Sequence, residues 1–197
     1  MNKPSYVLIV AMLILISHFS FSQEMKKYVC NGEGKAQGLK FSIDYPNTWT
    51  VSEGIRPHIL KIFDFEDKKG KVSMTIYVNK LDEVPSKEQI DYAFQKDFTL
   101  DNPIFREAKV IEFKNDVQIE DLREMFLTIY VKGKVYDLEA YSIFKFNHIY
   151  FDRYHIQVNF DIMSYDQKYE TMIQMYNRYN IVFKEIMYGL SIYSRWK

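Results

Sequence analysis

Between Glu124 and Ile162 the hydrophobic and polar positions alternate in a way that predicts three consecutive antiparallel strands, closed by a long C-terminal helix. In Tyr136 to Phe146 the even positions Tyr136, Leu138, Ala140, Phe144 and Phe146 are mainly apolar. The odd positions include Asp137, Glu139 and Lys145, which is the pattern of a half-buried strand. From Tyr154 the even positions Tyr154, Ile156, Val158, Phe160 and Ile162 are apolar again, and Arg153, His155, Gln157, Asn159 and Asp161 alternate with them. Placing both even faces on one core requires a connection with an odd number of residues, such as Asn147-His148-Ile149, so that Leu138 faces Val158 and Ala140 faces Ile156. A two-residue turn is rejected on this reading because it would point one apolar set at solvent. Upstream, Lys132-Gly133-Lys134 reads as a three-residue hairpin loop that aligns Phe126 with Ala140 and Thr128 with Leu138. The strand before it is apolar on both sides, with Met125, Leu127, Ile129 and Val131 on the second, so it predicts a central strand covered by another layer.

The rest of the chain follows the same logic. Residues 23–38 are polar and carry Gly32, Gly34 and Gly38, which reads as a flexible lead-in to a single domain over 39–197. Leu39, Phe41, Ile43 and Tyr45 alternate with polar residues in a first strand that Pro46 ends, and Asn47-Thr48-Trp49 is a turn. Ile59 to Phe65 and Val72 to Asn79 read as two strands joined by a charged loop. Ser86 caps a helix over Lys87 to Leu100, with Gln89 completing a capping box and Ile90, Phe94 and Phe98 as its buried stripe. Ala108 to Phe113 is a less regular strand that Asn115-Asp116 turns toward the next one. In the last helix Tyr165, Tyr169, Met172, Tyr176, Tyr179, Phe183, Ile186 and Leu190 recur at spacings of four and three. That one-faced stripe suits packing on a sheet, with a coiled-coil seam as the competing use.

The run from Leu39 to Trp49, of the form F-x-I-x-Y-P-x-x-W, resembles the opening strand of the PsbP/DcrB/Mog superfamily, and the order of elements is similar as well. The resemblance implies a PsbP-like α/β/α sandwich. It also implies a role as a binding or assembly subunit, as in extrinsic photosystem proteins, DcrB-type envelope proteins and Ran-binding proteins. The expected fold is therefore α+β, with a mostly antiparallel sheet of six to seven strands flanked by helices. The alternative is a helix-grip or lipocalin-like fold, in which the terminal helix closes a curved sheet over a cavity.

Composition narrows the function. Lys3, the apolar run Tyr6 to Ile16 and Ser20-Phe21-Ser22 read as a signal peptide over 1–22, which predicts export to the periplasm or beyond. The competing reading is an uncleaved N-terminal anchor. Removing residues 1–22 takes away Lys3 and no acid, so 25 basic residues stand against 26 acidic ones and no electrostatic case exists for nucleic acid. Cys30 is the single cysteine and has no internal disulfide partner. No G-x-S-x-G elbow, phosphate-binding glycine loop or clustered metal ligands stand out, so no enzyme, cofactor or metal is expected. His148, Asp152 and His155 are the nearest approach to a metal set. On the strand reading His155 takes the opposite face from the other two, so the trio does not converge.

The same register places Tyr141 opposite His155 and Ile143 opposite Arg153. Tyr141, Arg153 and His155 thus form a candidate contact surface, the alternative being ordinary outer-face residues or residues under a covering helix. The expected function is that of an exported, non-catalytic binding or assembly protein of the cell envelope, monomeric, with an envelope protein as partner. The alternative is a carrier of a small apolar ligand.

Overall fold

The computed structural model describes residues 24–95, 108–119, 122–135, 138–166 and 168–193. The expected signal peptide and Phe98 of the expected helix stripe lie outside these residues. Within them ten strands and two α-helices follow in order: β1 Met25–Asn31, β2 Lys40–Pro46, β3 Thr50–Glu53, β4 Ile59–Glu66, β5 Gly70–Lys80, α1 Lys87–Ala93, β6 Lys109–Ile119, β7 Leu122–Val135, β8 Leu138–Phe151, β9 Tyr154–Ser164, α2 Tyr169–Tyr188 and β10 Ser191–Ile192. They form a seven-stranded sheet, β3-β4-β5-β9-β8-β7-β6, and a three-stranded sheet, β1-β2-β10. Every pairing among the described residues is antiparallel, and the fold is α+β. No helix among the described residues is long and apolar enough to cross a membrane.

The larger sheet buries apolar side chains on both faces. On the first face Val72, Met74, Ile76 and Val78 of β5 join Ile156, Val158, Phe160 and Ile162 of β9 in one cluster. Met172, Tyr176, Tyr179, Phe183 and Ile186 of α2 pack into it, with Phe183 stacked on Phe160 at 4.1 Å between ring centroids. The small sheet joins the same face through Phe41 and Ile43, and Tyr28 and Tyr45 close on Phe63 at 5.8 and 4.9 Å. On the second face Met125, Leu127, Ile129 and Val131 of β7 meet Ile90 and Phe94 from α1. This is the covering layer that the two-sided strand required. The capping box of α1 is complete: Ser86 Oγ accepts from Gln89 N at 3.3 Å and Gln89 Oε1 accepts from Ser86 N at 2.7 Å.

The lead-in is structured where the sequence predicts flexibility. β1 pairs with β2 along its whole length, and Cys30 and Ala36 are buried. Only Cys30 of the seven β1 residues is fully buried, so its sequence shows no alternation. The Asn115-Asp116 turn is instead part of β6, where the register shifts between Lys114 and Val117; such a bulge keeps a strand paired around extra residues. α1 spans Lys87–Ala93, and the expected end at Leu100 lies outside the described residues.

Both hairpin registers also differ from expectation. Lys132-Gly133-Lys134 stays inside β7, and Val135 pairs with Leu138. β8 runs on to Phe151, and Asp152-Arg153 forms the two-residue turn that the alternation argument rejects, with Asp152 at φ 50°. That rejection assumed one buried face per strand. β8 instead has apolar residues on both sides: Ile143, Ile149 and Phe151 enter the first cluster, and Phe144, Phe146 and Tyr150 pack on the second. With both faces covered, parity no longer fixes the register.

Candidate functional site: a cavity between the last helix and the sheet

The register change moves every polar residue of β8 to the other side. Ile149 pairs with Ile156 and Lys145 with Phe160, so the odd positions of β8 share the α2 face with the even positions of β9. Lys145 and Asn147 are therefore buried under α2, at 5% and 2% exposure, rather than facing solvent. Asn147 satisfies itself by donating from Nδ2 to Val158 O at 2.7 Å. Lys145 does not reach the same state. Its Nζ, which has three N–H groups to place, donates to Asn180 Oδ1 at 3.1 Å and lies 5.3 Å from the centre of the Phe126 ring. No carboxylate among the described residues comes within ion-pair distance of it.

This ammonium opens onto a cavity of about 620 Å³ between β6, β7 and β8 on one side and the last turns of α2 with the chain to Ile192 on the other. Phe126, Ile149, Phe183, Met187 and Leu190 supply its apolar wall. Glu112, Lys114, Glu124 and Lys184 add charges. Burial holds the Lys145 ammonium below the usual lysine range, Glu112 and Glu124 oppose that shift, and Lys184 adds to it. Burial pushes the Glu124 carboxyl up, against the pull of Lys145 and Lys114. A concave, mainly apolar chamber with a few inward polar groups is the usual build of a small-molecule site.

The candidate surface of Tyr141, Arg153 and His155 is not assembled. Tyr141 pairs with Lys132 of β7, stacks on Tyr130 at 6.0 Å and packs against the first cluster. His155 pairs with Tyr150, nine residues further along β8, which is roughly 30 Å of strand. It also faces the other side of the sheet. Arg153 sits in the turn and donates to Asp82 O at 3.4 Å.

The structure does bring His148 and His155 together, against the expectation that they take opposite faces. His148 Nδ1 and His155 Nε2 are 3.1 Å apart and share one proton, with the tautomer deciding the donor. Tyr150 stacks on His155 at 4.5 Å. Burial, followed by the neighbouring His155, lowers the His148 pKa to about 3, and burial lowers that of His155 to about 4, so both rings are neutral at neutral pH. Asp152 remains in the turn, and no set of three metal-ligating side chains converges among the described residues.

With the odd side of β8 read as solvent-facing, Lys145 does not stand out in the sequence. A signal was available in Ile143, Ile149 and Phe151, apolar odd positions that bracket Lys145 and argue against a solvated face.

No family model matches this chain, and no curated protein does. Among solved structures, a crystal structure from Bacteroides thetaiotaomicron VPI-5482 at 1.50 Å resolution is similar, with a TM-score of 0.44 and 15% identity over 85% of this chain. The chain spans 48% of that neighbour's length.

Proposed function

We propose that this chain is an exported, non-catalytic binding protein that holds a small ligand in the cavity under α2. The observation that carries the reading is the 620 Å³ chamber itself, with an apolar wall and a buried, incompletely hydrogen-bonded lysine at its inner side. Its volume falls within the range of roughly 300–1,000 Å³ typical of ligand pockets. Export is the reading of residues 1–22, and it would place the binding event in the periplasm or outside the cell. A PsbP/DcrB-like identity rests on the Phe41 to Trp49 motif and is supported by apolar clusters on both faces of the sheet, one with α2 and one with α1. Assembly with an envelope protein, the activity that family resemblance implies, has no contiguous surface behind it once Tyr141 and His155 are separated.

Native mass spectrometry of protein purified from its host tests the reading. A bound small molecule is expected in the wild type and is expected to be lost in Met187→Trp, which fills the chamber from the helix side. A ligand-free wild type that also fails to take up any apolar probe would refute it.

A further inference from the structure

We infer that the ligand of this cavity is a single-chain amphipathic carboxylate, seated with its head on Lys145 and its hydrocarbon against Phe126, Ile149, Phe183, Met187 and Leu190; this rests on the cavity being the binding site.

A buried ammonium is strongly disfavoured unless it is paired and hydrogen-bonded. Lys145 has one amide oxygen, from Asn180, and an aromatic face, from Phe126, so N–H donors remain to be used. A carboxylate is the group that accepts from them and at the same time supplies the missing counter-charge, through charge-assisted bonds that are about twice as strong as neutral ones.

The surrounding charges limit the head to one negative charge. Lys114, Lys145 and Lys184 line the chamber together with Glu112 and Glu124, a surplus of one positive charge when all are ionised. A dianionic phosphate would meet two carboxylates with too few cations, whereas a monoanion balances the set. The wall sets the rest of the molecule. Phe126, Ile149, Phe183, Met187 and Leu190 are among the apolar side chains that bound the space, and they suit a hydrocarbon tail better than a run of hydroxyls.

Isothermal titration calorimetry of the purified, delipidated full chain with decanoate, decanol and decyl phosphate tests this. The expected result is that decanoate binds at least about 10-fold more tightly than decanol, the scale of one charged hydrogen bond. Lys145→Met should remove that preference by weakening decanoate while leaving decanol unchanged. Lys40→Ala, at an exposed position of β2 that does not line the chamber, should leave the preference intact. Binding of decanoate and decanol with equal affinity overturns the carboxylate assignment and leaves the cavity reading standing, and so does a preference for decyl phosphate. Failure of all three probes to bind overturns both. If Lys145→Met does not fold, the wild-type ratio of decanoate to decanol decides alone.

Discussion

Replacing Asp161 by asparagine should make this protein more stable at pH 8 and leave it nearly unchanged near pH 4. Asp161 lies on β9 directly across from Ser73 of β5, the residue placed to serve it. Ser73 gives its hydroxyl to Asp64 Oδ1 instead, at 2.7 Å, and Lys71 also pairs with Asp64, at 3.2 Å. Asp161 Oδ1 is left sealed from solvent without a hydrogen bond. Burial raises its pKa to about 7, Lys71 pulls it down, and Asp64 adds to the rise.

The sign follows from linkage. The folded-state pKa lies above the unfolded value of 3.8, so the unfolded chain releases this proton first as pH increases. Stability from this group is intact below about pH 4, falls as pH rises toward 7, and stays reduced above it. A gap of about three units at 1.36 kcal/mol each gives an upper figure of about 4 kcal/mol, and relaxation around the charge brings the expected gain for Asp161→Asn to roughly 2 kcal/mol at pH 8. Urea melts of wild type and variant at pH 4, 6 and 8, with equal m-values, measure it. A difference that is the same at all three pH values, or a less stable variant at pH 8, would refute the burial argument.

The histidine pair should act in the opposite direction: its folded pKa values, about 3 and 4, lie below the unfolded 6.5, so its contribution is complete above about pH 6.5 and is lost as pH falls. At pH 5 the loss is about 2 kcal/mol per ring, and His148→Gln should remove close to half of it in the same melts. Ser86→Ala should cost about 1 kcal/mol because it removes the Oγ acceptor of a complete capping box. Phe183→Ala should cost about 3–5 kcal/mol in urea melts because the ring is 1% exposed and stacked on Phe160; a loss no larger than that of Ser86→Ala would mean that α2 is not docked.

Strands with one wet face are legible in the sequence; the two-sided burial of β7 is legible as well, but the register of the two-sided β8 is not. β5 alternates cleanly, and the sequence reading of it, of β2 and of β4 agrees with the structure within a residue or two, as it does for the Ser86 cap and the stripe of α2 from Met172 to Ile186. β1 was lost for the converse reason: it lies in the three-stranded sheet with one buried side chain, and neither alternation nor apolar content separates it from a loop. The candidate surface failed with the register on which it depended.

That register error explains why the cavity was invisible. For β8, Phe144 and Phe146 fix attention on the even side, yet they serve the second cluster, while the first core takes Ile143, Ile149 and Phe151 from the odd side. A shift of pairing by any odd number of positions therefore exchanges the whole environment of the strand. On the even reading Lys145 is an ordinary surface lysine, and His148 and His155 are strangers; on the observed one the lysine is sealed beneath α2 and the two rings are 3.1 Å apart. A charged residue inside a strand that is apolar on both sides has no solvated face to occupy. Its burial is thus forced by the fold, and the buried ammonium beside the chamber is the feature on which the proposed binding site rests.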